Sequence, residues 1–237
     1  RNYNKDIKDK HNFKIKKKKL KIINGYPFIY WISDSFRDNF KEEPLGEILD
    51  IRQGLATTNN IRFLRFWWEV SKESISNNFQ KDSKRFVPYQ KGGEYKKWYG
   101  NNWLLVDWKD NGKDIKELLW DKYGKGWGII KKNDDGSYRT SSEEYYFKEG
   151  ITYTLISYNI SMRYLPPNNI FDVNGSSIFL EKEYTNLLYI LGLMNSIIAD
   201  YILDCLNLTA ASQVGDFIRV PFAKPDDRIE NLVENLS

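Results

Sequence analysis

Cysteine and histidine are almost absent from this chain: its 237 residues contain only Cys205 and His11. One cysteine excludes a disulfide framework and a multi-cysteine zinc site, and one histidine excludes the HExxH arrangement. A Ser-His-Asp triad or a Cys–His couple would have to recruit His11 from a run of lysines, so familiar hydrolytic chemistry is not expected. The phosphate-cradling patterns GxxxxGK(S/T) and GxGxxG are missing. Gly124-Lys125-Gly126-Trp127-Gly128 has the spacing GxGxG, with nothing to mark it as a strand-to-helix turn. The acidic pairs Glu42-Glu43, Asp134-Asp135 and Glu143-Glu144 sit among polar residues and read as solvated faces or turns rather than acid–base dyads. Long apolar runs are lacking too. Leu187–Ala199 is interrupted by Asn195 and Ser196 and followed by Asp200 and Asp204, too short and too polar to span a bilayer. No apolar region follows the basic start, as a signal peptide requires. A cytoplasmic protein without a membrane segment is expected. The first residue is Arg1 rather than Met, and a fragment of a longer protein is expected.

Charge is present in both signs but unevenly placed. Residues 1–21 carry ten Lys/Arg against two Asp, leaving 26 basic against 30 acidic residues in 22–237. The body is thus mildly acidic, and nucleic-acid binding cannot be inferred from the overall charge of +4. The Lys16–Lys19 run reads as a solvated interdomain linker, with contact to a DNA backbone as the alternative. Aromatic residues are abundant: 8 Trp, 16 Tyr and 13 Phe. Rings at that density suit a large core, a stacking surface, or both, and a core position is the expectation for a single Trp. A chain of this size buries roughly three-quarters of its unfolded surface and needs neither disulfide nor metal to fold.

Gly and Pro punctuate many short segments, as in a loop-rich mixed fold. Ile22–Ser33 begins with a turn at Asn24-Gly25, and Ser33 or Asp34 can cap a short helix through Phe40. Ile61–Val70 is rich in aromatic and β-branched residues and reads as a strand, as does Trp103–Trp108. Residues 111–122 predict a short helix started by Asn111 or Asp114, with Ile115, Leu118 and Leu119 inward. Asn133-Asp134-Asp135-Gly136 and Asn174-Gly175 are turn signals, and strands are expected within 150–165 and 169–179. From about Tyr184 to Leu206 an apolar stripe steps by three and four residues, predicting one continuous buried helix capped by Thr185 or Asn186. Asp226–Leu236 reads as a short amphipathic helix. The fold class is α+β: a strand-rich, loop-rich body with a long buried helix and a helical C-terminal end.

Two loops mix glycine, amides, lysine and rings. Thr57, Thr58, Asn59 and Asn60 can donate to phosphate or read adenine edges, on a loop expected to be held by Phe63, Phe66, Trp67 and Trp68. Lys91, Gly92, Gly93, Lys96, Lys97, Trp98 and Tyr99 combine close backbone approach, phosphate charge and rings that pack on sugar or wedge at a base step. Arg139 and Arg163 are candidates to fork onto guanine, with pairing of Arg163 to Asp172 as the plain alternative. Asn/Asp-Pro-Pro-Tyr/Phe, the motif that grips a flipped adenine in amino-methyltransferases, is absent, since Pro166-Pro167-Asn168 runs the other way.

Gly54–Asn60 followed by Arg62-Phe63-Leu64-Arg65-Phe66-Trp67-Trp68-Glu69-Val70 resembles a stretch of the PglX family of BREX phage-defence adenine-specific DNA methyltransferases. So do Tyr89–Glu94 with Lys97–Asn101, and Arg163–Pro166 with Ile170–Asp172. The closing part, Gly192–Ser196, Asn207–Thr209, Gln213–Asp216 and Val220-Pro221, is similar as well. The likeness covers about residues 25–225. Ala56-Thr57-Thr58 replaces the family's usual Thr-Gly step, and Asn207-Leu208 lacks its proline. The resemblance implies a target-recognition domain, similar to those of type IIG and TaqI-like enzymes, that catalyses nothing itself. It implies residues 1–22 as a basic arm from a missing catalytic half, 23–180 as the DNA-recognising part and 181–237 as a helical part packed on it. S-adenosylmethionine would belong to the parent enzyme, with no cofactor in this fragment. Double-stranded DNA, the catalytic half and other phage-defence proteins would be partners, and a membrane would not. A type IIG specificity domain and an aromatic-rich carbohydrate- or protein-binding module are the rival readings.

Overall fold

The computed structural model describes residues 15–25, 27–124, 126, 128–155, 159–181, 186–207, 213–226 and 228–229. Lys17–Leu20 makes one helical turn, α1, and Lys19 pairs with Asp34 at the start of α2 (Asp34–Asp38). The Ser33 hydroxyl accepts from the Phe36 amide, so the expected cap is in place.

Four strands form a first sheet in the order β1-β10-β7-β8. They are β1 (Leu49–Arg52), β7 (Gly150–Tyr153), β8 (Met162–Leu165) and β10 (Ser177–Leu180), all antiparallel, with Ile51 opposite Ile178 and Ile178 opposite Ile151. A second sheet has the order β2-β4-β3-β9: β2 (Leu64–Phe66), β4 (Leu104–Asp107), β3 (Phe86–Gln90) and β9 (Ile170–Phe171). Its last pair is parallel, with Tyr89 opposite Ile170. The chain crosses from β9 to β10 through the Asn174-Gly175 turn, which stitches one sheet to the other. A hairpin of β5 (Ile130–Lys132) and β6 (Tyr138–Thr140) closes over the expected 133–136 turn. The fold is α+β.

The first sheet is buried on both faces because alternate side chains point opposite ways. Ile178, Met162 and Ile151 face one core, shared with Ile190, Met194, Leu203 and Phe217; Phe179 and Leu165 face a second core around Val87, Val106, Trp108, Ile115 and Leu119. Removing one such buried leucine or isoleucine to alanine costs about 2–5 kcal/mol.

Three expectations change. Ile61–Val70 is not one strand: Asn60–Phe63 turns as helix α3, Leu64–Phe66 is β2, and Trp67–Glu69 is a 3₁₀ turn. Side chains decide this, since Asn59 accepts from the Arg62 amide and Glu69 accepts from the Phe66 amide. The long helix is two, α6 (Leu187–Met194) and α7 (Ile197–Leu206), bent by 67°. Ser196 caps the second by accepting from Ala199, and Asn195 bonds to Met162 of β8 in place of continuing the helix. Asn186 caps the first, while Thr185 lies outside the described residues. Third, among the described residues tryptophan is mostly not core. Trp108 is fully buried, but Trp31, Trp67, Trp68 and Trp98 are exposed.

Between them, helices α4 (Phe79–Asp82) and α5 (Lys109–Tyr123) flank the second sheet; Ile115 and Leu119 of α5 are buried as expected and Leu118 half-buried. Residues 110–112 have positive φ, so regular helix begins after both Asn111 and Gly112. Most of Asp226–Leu236 lies outside the described residues. Among the described residues no single helix is long and apolar enough to cross a membrane.

Candidate nucleic-acid interface

The 54–60 loop is anchored by backbone. A Cβ on Gly54 would lie 1.8 Å from the Phe171 carbonyl oxygen, so only glycine lets the loop start against β9, where Leu55 donates to that same oxygen at 2.7 Å. Thr58 then takes φ +57°, a left-handed turn that a β-branched residue rarely adopts. Thr57 is buried and donates its hydroxyl to Asn60 Oδ1 at 2.5 Å. Thr58 is half-buried and donates to the Thr57 carbonyl. Asn59 caps α3 and is exposed, as is Asn60. Thr57 thus positions Asn60 and offers no free surface of its own.

The 90–101 loop is held from inside by Asn101. Its Nδ2 donates to the carbonyls of Gly92 and Glu94 at 2.9 and 3.1 Å. Gly92, at φ +80°, is buried against the Asn174 carbonyl, and Gly93, at φ +111°, is exposed. Trp98 has φ +75° and is clipped to β8, donating to Met162 O and accepting from Tyr164, with its ring outside. Strain of this sort in a bulky residue persists only where the surroundings fix it. Tyr99 is exposed beside it. The three lysines differ. Lys96 is exposed, its ammonium 4.9 Å above the Trp103 ring. Lys97 donates to the Asn195 carbonyl at the end of α6, at 2.8 Å. Lys91 turns inward.

Lys91 joins the two loops. Its Nζ lies 2.9 Å from Asp172 Oδ2 and 3.3 Å from Asn60 Oδ1. Asp172 is buried, and its other contacts are the Tyr89 hydroxyl at 2.7 Å and the Asn174 amide at 2.7 Å. Burial, then the charge of Asp172, push the Tyr89 hydroxyl well above the usual phenol range, so it stays a proton donor. Asp172 and Tyr89 were not among the expected site residues. In the sequence Asp172 stands out only as the carboxylate that Arg163 could pair with, and Tyr89 only as the first residue of a stretch that resembles the PglX family.

The remaining expectations separate. Arg163 is fully buried, and its Nη1 donates to Thr154 Oγ1 at 3.2 Å and to the carbonyls of Lys96 and Ser161. It pairs with neither Asp172 nor, from that position, a base edge, and burial lowers its pKa to about 10. Arg139 is exposed on β6 and pairs with exposed Glu144 at 2.5 Å. Phe63 is buried, but Phe66, Trp67 and Trp68 project from the surface instead of holding the 54–60 loop from below; the Phe66 and Trp68 rings stack at 4.6 Å. Beside them a cleft of about 600 Å³ is lined by Asn60, Ile61, Leu64, Arg65, Phe66, Glu69, Lys91 and Leu104. It offers donors above an apolar floor, with flat rings at one side.

No protein-family model matches the chain. The adenine-specific methyltransferase PglX of Lacticaseibacillus casei (strain Zhang) is 32% identical over 233 residues, covering 94% of this chain and 18% of that protein. The adenine-specific methyltransferase BrxX of Escherichia coli O9:H4 (strain HS) is 30% identical over 218 residues, covering 91% of this chain and 16% of that protein. The chain spans less than a fifth of the length of the curated relatives it matches. It is homologous to a region of the PglX/BrxX adenine-specific methyltransferases.

Proposed function

We propose that this chain is the DNA sequence-recognition region of a site-specific adenine-N6 DNA methyltransferase of the BREX phage-defence type. The observation that carries the reading is the junction of Asn60 and Lys91 beside exposed rings, in a chain homologous to adenine-specific methyltransferases. Amide and lysine donors suit base edges and phosphates, and projecting rings suit sugar or base contact. Residues 1–22 serve as a basic arm from the catalytic half, residues 23–180 present the DNA surface, and residues 181–237 pack behind it. The partners are double-stranded DNA, the catalytic half of the same polypeptide and other proteins of the defence system.

S-adenosylmethionine supplies the methyl group in the parent enzyme. The Gly124–Gly128 stretch follows helix α5 and precedes β5, the reverse of the strand-to-helix order of a nucleotide-binding glycine turn. No step is assigned to the cofactor in this region.

Lys96, exposed and held by no carboxylate among the described residues, is the phosphate contact. In the full-length enzyme Lys96→Ala weakens binding to all duplexes alike and lowers the salt slope by about 1. Binding of wild type that hardly responds to salt would instead favour a carbohydrate- or protein-binding module. A changed methylation motif with unchanged general affinity would reassign Lys96 to a base.

A further inference from the structure

We propose that Asn60 and Lys91 together read the major-groove edge of a guanine in the target duplex; this rests on the DNA-recognition reading above. Chemistry fixes how the Asn60 amide is turned. The Lys91 ammonium can only donate, so the amide atom facing it at 3.3 Å is the oxygen. The buried Thr57 hydroxyl donates to that same oxygen. Both of its acceptor positions are therefore used inside the protein, and what Asn60 offers to a ligand is its Nδ2 with two protons. Lys91 has three protons. One goes to Asp172 and one to Asn60, which leaves one.

The junction thus presents two neighbouring nitrogens that donate and no free oxygen that accepts. Guanine has two adjacent acceptors, O6 and N7, on its major-groove edge. Adenine pairs N7 with an N6 donor, and an asparagine that grips it in two places needs its oxygen free. That oxygen is taken here, so the familiar asparagine–adenine pairing is closed to Asn60. Cytosine offers a donor, and thymine one acceptor beside a methyl group. Lys91 is also unlike a surface lysine that finds phosphates: Asp172, fixed in turn by Tyr89 and Asn174, holds it in one place. Leu64, Phe66 and Leu104 line the same cleft beside the donors.

The test uses the full-length enzyme and whole-genome mapping of methylated sites. Asn60→Asp turns the outward group from donor to acceptor while keeping the inward oxygen. It is expected to replace one guanine of the motif by a base with a major-groove donor, cytosine or adenine, leaving other positions strict. Replacing that guanine by 7-deazaguanine in a short duplex is expected to weaken wild-type binding by about five- to 150-fold. The same replacement is expected to have much less effect on Asn60→Ala. A target motif without guanine, or an unchanged motif in both Asn60 variants, overturns the proposal. If Lys96→Ala still lowers the salt slope in that case, the recognition reading survives and only the assignment to Asn60 and Lys91 fails.

Discussion

Asn195 holds both backbone groups of Met162: its Oδ1 accepts from the Met162 amide and its Nδ2 donates to the Met162 carbonyl, each at 3.0 Å. One side chain thus fastens the break between α6 and α7 to edge strand β8, and its own carbonyl accepts from Lys97 of the 90–101 loop. All three elements meet at a buried residue. Asn195→Ala leaves a buried donor without its partner and weakens the seat of the carbonyl. We expect a loss of about 2–4 kcal/mol, read from urea denaturation as a lower midpoint with an unchanged slope.

Expressed alone, the 237-residue chain is expected to fold and to unfold in one transition. The first sheet contributes side chains to both cores, so neither survives without the other. The same preparation should transfer no methyl group from S-adenosylmethionine to DNA. Two separate calorimetric transitions would contradict the first expectation, and detectable methylation the second.

Thr58 occupies a left-handed turn that a β-branched residue disfavours. Thr58→Gly should raise stability by about 1 kcal/mol, the relief of strain outweighing the extra freedom of glycine in the unfolded chain. A fall in thermal midpoint would show that the Thr58 hydroxyl bond to the Thr57 carbonyl matters more than the strain.

Asp82 gathers the Ser76 hydroxyl and the amides of Asn77, Asn78 and Lys84. Burial opposes ionisation, yet these bonds outweigh it and hold the carboxyl at about 2 against an ordinary 3.8. A carboxyl whose pKa is lowered by folding contributes stability above its unfolded pKa and loses it as the pH falls through the folded one. The stability difference between wild type and Asp82→Asn should therefore be full above pH 3.8 and shrink toward pH 2. A difference independent of pH over that window would rule this out.

The two arginines should behave oppositely. Arg163→Ala removes a buried side chain that bonds to Thr154 and to carbonyls of two segments, and we expect a loss of about 2–4 kcal/mol with the methylation motif unchanged. Arg139→Ala breaks only an exposed ion pair, worth less than about 1 kcal/mol, and should relax one position of the motif if Arg139 reaches a base. Genome-wide methylation maps and denaturation of both variants decide it.

Much of the local structure was legible in the residues. Ser33 and Asn186 announce helix starts because a short polar side chain satisfies amides that a new helix leaves bare. Asn133–Gly136 announces a turn because those residues accept its backbone angles, and the structure makes it the tip of the β5–β6 hairpin. The α+β class followed from such short-range signals. The apolar stripe of 187–206 marks Ile190, Leu191, Met194, Leu203 and Cys205, which are buried, but also Ile197, Ile198 and Tyr201, which are exposed because the helix breaks at Asn195, where Met162 of β8 and the Ser196 cap meet it. Exposure was likewise undecided by composition. A core position is the expectation for a tryptophan, yet Trp67 and Trp68 project because Glu69 turns the chain just after an edge strand. Lys91 finds Asn60 at 31 residues' separation and Asp172 at 81, where no periodicity reaches. Sequence specifies bonds between near neighbours through backbone geometry. Which distant donor meets which carboxylate is settled only when β3 and β9 pair and bring their ends together.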